Sequence, residues 1–215
     1  ARGNDKEASA QLAMVERVLA VLGEGKPART MDISADDKRV FEMLHLLSGK
    51  PVLYVCNVEE DAAGEGNAQS EKVAEMATGQ GAISVVISAR IEEEISALGD
   101  ATEQQEFLDA IGLQETGLTR VIRAGYELLH LITFFTVGPT ETRAWTVPAG
   151  SKAPQAAGAI HTDFEKGFIK AETIAYDDFI ACNGEQGAKE AGKMRQEGRD
   201  YTTQDGDLML FRFNV

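Results

Sequence analysis

The 215-residue chain is 43% apolar, 26% charged and 7% aromatic, the proportions of a folded globular protein rather than a disordered tail. Thirty-five acidic against 21 basic residues leave a formal charge of −14, which excludes coating of nucleic acid by the whole surface while leaving local basic patches open. The acidity lies mostly before Leu131, with 23 acids and 12 bases there against 12 and 9 after it.

The chain starts at Ala1-Arg2 without an initiator Met, inside a charged helical pattern, so a fragment or a missing front is expected. Residues 5–22 then set Leu12, Val15, Leu19 and Leu22 at spacings of three, four and three, the narrow apolar seam of a coiled-coil-like helix that Gly23 and Gly25 stop. Ser34 with Asp37 resembles a capping box, and Val40, Met43, Leu44 and Leu47 predict the buried face of a second helix. The two helices read as an antiparallel pair or arm.

At Pro51 the pattern changes. The run from Pro51 to Asn57 is short and nearly continuously apolar, as a strand buried on both faces of a parallel sheet would be. A helix over 70–80 with Val73, Met76 and Ala77 inward leads to a second such run, Ala82 to Ser88, and strand, helix, strand is a βαβ unit. Acidic helices follow at about 90–98 and 102–111, then an amphipathic one at 117–130 carrying Leu118, Val121, Ile122, Leu128 and Leu129.

From Leu131 the texture is β-branched and aromatic. Strands are predicted at 132–137 and 142–147, joined by a Gly138-Pro139-Thr140-Glu141 turn. A helix near 154–164, a strand near 168–175 and a final hairpin over Tyr201 to Phe213 complete a β-grasp, ubiquitin-like module. The fold class is therefore α/β, with a parallel-sheet part followed by a β-grasp part.

No apolar run approaches the roughly 18 residues that a membrane span needs and no leader pattern opens the chain, so the cytoplasm is expected and a membrane partner is not. Cys56 and Cys182 are too few and too distant for a disulfide framework or zinc knuckle and read as reduced packing residues.

Two loops carry the chemistry. Asn57-Val58-Glu59-Glu60 follows the first buried strand and Ser88-Ala89-Arg90 follows the next, the strand ends where an α/β sheet binds its ligands. An Asn amide offers a donor and an acceptor to a base edge, and the Ala89 N–H a further donor. The bland alternative makes Asn57 and Ser88 strand-end turn residues and helix caps. His161-Thr162-Asp163-Phe164-Glu165 invites a metal reading, but Ala157, Ile160, Phe164 and Phe168 recur at helical spacing, which sets Asp163 about 200° around from His161. His161 reads as a helix-end residue, and His45 and His130 as structural residues on helical stretches. Lys166, Lys170, Lys189, Lys193, Arg195 and Arg199 alternate with acids, the pattern of a solvated face; converging on one side, they would meet RNA phosphates.

The segments Lys50 to Glu60, Ser88-Ala89, Ala153 to Phe168 and Gly206 to Val215 together resemble the YchF subfamily of Obg-like P-loop ATPases over almost the whole chain. The resemblance implies a helical arm at 1–49, the second half of a P-loop NTPase domain at 50–130, and a C-terminal TGS domain of β-grasp type at 131–215. Asn57 to Glu60 would correspond to the Asn-Lys-x-Asp base loop of GTPases, with Val58 for Lys and Glu60 for Asp. A GTPase Asp accepts from the two N–H groups of guanine, whereas adenine presents an acceptor and one amino group, so ATP is expected over GTP. Asn57 would bond the adenine edge, Val58 contact the base, and Ser88 and Ala89 close the pocket.

No Gly-x-x-x-x-Gly-Lys-Ser/Thr run occurs and no Walker-type Asp loop for Mg²⁺ is identifiable. The resemblance assigns the phosphate cradle and Mg²⁺ ligands to a preceding half, so ATP hydrolysis is expected of the full-length protein and not of this chain alone. The ribosome or its RNA is the implied partner, with Lys166 and Lys170 as contacts, DNA is not, and the role is linked to translation or stress regulation. The alternative is a non-enzymatic RNA-binding or adaptor protein built on a TGS module, which would be favoured if Asn57 and Ser88 lay far apart or buried. A bare metal hydrolase is a more distant reading.

Overall fold

The computed structural model describes residues 6–138 and 140–214, which form two compact units divided between Leu128 and Leu129. Asp5 at the start of the expected first helix, Pro139 in the expected turn and Val215 lie outside the described residues.

The first unit opens with α1 (Lys6–Gly23), whose buried residues are Met14 and Val18. These pack with Ala28 and with Met31, Ile33, Val40 and Phe41 of the chain that folds back over the helix. The predicted seam is therefore the wrong stripe: Leu12 and Leu19 are 52% and 61% exposed. The helix is apolar on two adjoining stripes, and the returning chain covers the one a residue round from the regular heptad seam. The second helix is also shorter than predicted. Ser34 Oγ accepts from the Asp37 N–H at 3.2 Å, but the Asp37 carboxylate turns to Arg17 at 2.7 Å rather than back to the helix. The helix α2 is only Lys38–Glu42, and His45 at φ 47° ends it, leaving Leu47 exposed.

The βαβ unit is present as predicted in kind. Strand β1 (Leu53–Asn57) pairs in parallel with β2 (Ile83–Ile87), from Leu53 opposite Ile83 to Asn57 opposite Ile87. Helix α3 (Ala68–Gly79) connects them, started by Asn67, whose side chain accepts from the Gln69 and Ser70 N–H groups. Burial on both faces is not observed: Val55 is 46% exposed, because the described sheet of this unit has only these two strands. On α3 the buried residues are Ser70 and Ala77, with Met76 outward. Arg29 Nη2 and Tyr54 Oη both donate to Gln80 Oε1, at 2.6 and 3.2 Å, and so join the helical segment to this unit's sheet.

Helices α4 (Ala89–Ser96), α5 (Ala101–Ala110) and α6 (Gly117–Leu128) follow. Ile91 and Ile95 of α4 and Leu108 of α5 close a small core with Ala63. On α6 Gly117 and Ala124 face inward with Val121 and Leu128 half-buried beside them, while the other predicted residues, Leu118, Ile122 and Leu129, are exposed. Gly117 is required by close approach: a Cβ there would stand 2.9 Å from both the Glu92 Oε1 and the Ile87 Cγ2. Through that gap Glu92 accepts from the Gly117 and Leu118 N–H groups at 2.6 and 3.0 Å, satisfying two orphan donors of α6 with a carboxylate from α4.

The second unit is a β-grasp. Strands β3 (Leu131–Val137) and β4 (Thr142–Pro148) form the predicted hairpin, and β5 (Phe168–Ala175) matches its expected bounds. The predicted helix over 154–164 is two helices, α7 (Ala153–Ile160) and α8 (Thr162–Lys166), broken at His161. Short helices α9 (Tyr176–Ala181) and α10 (Glu185–Glu190) and strand β6 (Arg195–Glu197) were not legible beforehand.

The final hairpin does not form. Strand β7 (Asp207–Phe213) runs in the middle of the sheet, order β4-β3-β7-β5-β6, parallel to β3 and antiparallel to β5. Both edges of β7 are thus taken, so residues 201–206 bond elsewhere: Ala153 N–H donates to Tyr201 O, and Thr203 N–H to Ser151 O. Phe134, Met209, Phe211, Ala153, Ala156 and Ala157 make the core between α7 and the sheet.

Candidate nucleotide-base site

Both predicted rim loops sit at the carboxyl ends of paired strands. The register that sets Asn57 opposite Ile87 makes the chain leave β1 and β2 at the same level, and three links tie the loops together. Val58 N–H donates to Ile87 O at 2.9 Å. Ala89 N–H, the first of α4, donates to Asn57 Oδ1 at 2.9 Å. Farther out, Arg90 Nε lies 2.7 Å from Glu60 Oε1, with Glu94 at 3.6 Å as a second partner.

These links change what the predicted residues offer. The Ala89 N–H is spent on Asn57 Oδ1 and is not available to a base edge as expected; Asn57 keeps its Nδ2 donors and one oxygen lone pair, on an exposed side chain. Val58 is half-buried and Glu60 exposed. Ser88 departs most from expectation. It is 2% exposed, it does not cap α4, and its hydroxyl has no protein partner, so it contributes backbone to the rim and no side chain. Asn57 and Ser88 are thus brought together, and the burial that would favour the non-enzymatic alternative holds for Ser88 and not for Asn57. Arg90, one residue beyond the predicted pair, carries the outermost link; its adjacency to Ser88-Ala89 was the available signal.

Hollows flank the first loop. One of about 440 Å³ is lined by Tyr54, Cys56, Asn57, Val58 and Ser70. The other, of about 450 Å³, lies among Glu60, Asp61, Glu65, Ile91 and Leu113. The first mixes apolar walls with amide groups and holds Asn57 and Val58, whereas Glu60 lines the second. Among the described residues no three His, Cys, Asp or Glu side chains converge as a cation site.

In the second unit the basic residues are mostly engaged. Lys170 Nζ donates to Gln196 at 3.0 Å, Lys193 pairs with Asp178 at 3.0 Å, and Arg199 donates to Phe168 O at 3.0 Å. Lys166, at the end of α8, is exposed. The imidazole of His161 accepts from the Asp163 N–H through Nδ1 at 3.2 Å, which makes it the cap of α8. His45 and His130 are not on helical stretches but just beyond them, at φ 47° and 50°, where they end α2 and α6.

A polar network missed by sequence reasoning lies at the start of β7. Asp207 is 2% exposed and accepts from Tyr201 Oη at 2.8 Å and the Gln204 N–H at 2.9 Å, with Arg195 3.6 Å away. Burial, then the Asp207 carboxylate, pushes the Tyr201 phenol up to about 12. No helix among the described residues is long and apolar enough to cross a membrane.

Residues 131–214 match the YchF-GTPase_C family, described as a protein of unknown function. The ribosome-binding ATPase YchF of Escherichia coli O157:H7 is 52% identical over 215 residues, covering 100% of this chain and 59% of the relative. The protein of the same name from Bacillus subtilis (strain 168) is 46% identical over 217 residues, with the same coverage. The solved structure of the Schizosaccharomyces pombe YchF GTPase superposes with a TM-score of 0.84 at 33% identity, over 99% of this chain and 58% of that one. The chain thus spans about 59% of the length of the curated relatives it matches.

Proposed function

We propose, for a chain that belongs to the YchF subfamily of Obg-like P-loop ATPases, that it supplies the purine-binding loops and the β-grasp module of a ribosome-associated, ATP-hydrolysing protein linked to translation or stress regulation in the cytoplasm. The parts are a helical arm at 1–49, the second half of the nucleotide-binding domain at 50–130, and a TGS domain at 131–215. The observation that carries the reading is the bond from Ala89 N–H to Asn57 Oδ1. It orients the amide so that Nδ2 projects from the joined rims, a fixed donor for a purine ring nitrogen.

The relatives carry both names, ATPase and GTPase, so base choice is argued from the loop. Asn57 would hold the base, Val58 lie against its face, Glu60 stand at its edge, and the Ser88-Ala89 backbone close the rim. A carboxylate that reaches one methylene farther than Asp, without the Lys that would stand at Val58, meets the two guanine donors less well than a GTPase Asp does, and ATP is preferred. Phosphate transfer depends on groups that hold the phosphates and Mg²⁺. The chain carries no Gly-x-x-x-x-Gly-Lys-Ser/Thr run and its described residues gather no metal-ligating cluster. The role proposed for this chain's residues is to bind and orient the base.

The test is competition between ATP and GTP on the full-length protein carrying this sequence. Val58→Lys with Glu60→Asp should move the affinity ratio toward GTP by about five- to 150-fold, the effect of roughly 1 to 3 kcal/mol at a desolvated base edge. Asn57→Ala should weaken ATP binding without creating a GTP preference. Equal wild-type affinities, or a double variant with an unaltered ratio, would remove this loop from nucleotide selection.

A further inference from the structure

The ion pair between Arg90 and Glu60 is the outermost of the three links across the rims, and the first two do not need it. Val58 N–H to Ile87 O and Ala89 N–H to Asn57 Oδ1 already join the strand ends. Both charged side chains are exposed, at 72% and 53%, and an exposed pair adds little to stability. Arg90 also has Glu94 one helical turn on, the partner that helix geometry alone supplies, yet stands 3.6 Å from it against 2.7 Å from Glu60. Glu60 lies in the short 3-10 turn, Glu60–Ala62, that follows β1. The pair therefore sets a guanidinium against the Glu60 carboxylate at the outer side of the rims.

We infer that Arg90 is a positioning residue for base selection: by holding the Glu60 carboxylate it withdraws the acceptor that a guanine edge would need. This rests on the proposal that the two loops bind a purine. Guanine offers N1–H and N2–H donors, and a free carboxylate would accept both. With Arg90 at 2.7 Å, one oxygen is committed and a positive charge stands where two further donors would have to approach. Adenine presents a ring acceptor and a single amino group on that edge and loses nothing when the carboxylate is held. Arg90 thus acts against guanine and leaves adenine nearly untouched, a specificity element that works by disfavouring the wrong ligand.

The experiment measures ATP and GTP dissociation constants on the full-length protein, by competition against a fluorescent ADP analogue, for the wild type, Arg90→Met, Arg90→Lys, Glu60→Gln and the Arg90→Met/Glu60→Gln pair. Arg90→Met should tighten GTP binding about fivefold while ATP changes by less than about twofold, and Arg90→Lys should restore the wild-type ratio. With Glu60→Gln already present, Arg90→Met should leave the ratio where it was, since the effect passes through the carboxylate. A residue that merely holds the rims together would weaken both nucleotides equally on removal; that result, or an unaltered ratio in an ATP-selective protein, overturns the inference and spares the pocket. A wild type that binds neither nucleotide overturns the pocket itself and the inference with it.

Discussion

Replacing Tyr201 by Phe removes one hydroxyl from the buried network at the start of β7, and the structure sets the cost. Asp207 is 2% exposed, and its carboxylate loses the 2.8 Å bond from Tyr201 Oη while keeping the 2.9 Å bond from the Gln204 N–H. Arg195, which also reaches Tyr201 at 3.1 Å, loses that acceptor. A hydrogen bond to a charged group that leaves its partner buried is worth about 1.5 to 3 kcal/mol. For a module of this size about 2 kcal/mol lowers the melting midpoint by roughly 8 to 16 °C. The only tryptophan, Trp145, lies in this unit, half-buried against its core with Nε1 bonded to Thr136, so its fluorescence reports melting of the β-grasp part alone. The same network sets a pH dependence. The phenol is raised from 10.0 to about 12 in the folded state. Above pH 10 the unfolded chain gives up its proton and the folded one does not, so this stabilisation is complete below pH 10 and is lost as pH rises to about 12. A rise from 10.0 to about 12 corresponds to about 2.7 kcal/mol, and partial exposure of the ring reduces that to about 2 kcal/mol or less. Ultraviolet titration should show one of the four tyrosines ionising late, and that step should vanish in Tyr201→Phe. An unchanged melting midpoint at pH 7.5, or four tyrosines all ionising near their ordinary value, would refute the account.

Charge reversal at Lys166 and Lys170 should weaken co-sedimentation of the full-length protein with ribosomes, and the wild type should lose association with salt more steeply than the variant; unchanged co-sedimentation would remove both residues as contacts. This chain alone should not release phosphate from ATP above a buffer blank. Turnover abolished by a substitution within it would contradict that expectation.

What could be read locally was read from the sequence. The apolar runs around Leu53 to Asn57 and Ile83 to Ile87 specify strands whatever they pair with, and the polar residues that follow each specify loops, so the two rims and Asn57 were legible. The hairpin from Leu131 to Pro148 and the strand from Phe168 were legible for the same reason, as was the helix-end role of His161. Tertiary structure decided which of two apolar stripes on α1 is covered, because a helix apolar on adjoining stripes has a periodicity that fits either. It also decided that β7 lies between β3 and β5 rather than folding back on residues 201–206, since β propensity carries no address for a partner strand. At the candidate site it turned the Ser88 side chain inward, engaged the Ala89 N–H with Asn57 Oδ1 and brought Arg90 to Glu60. Side-chain periodicity and turn chemistry report the conformation of neighbouring residues, whereas the state of a polar group depends on what the rest of the fold brings within about 3 Å of it.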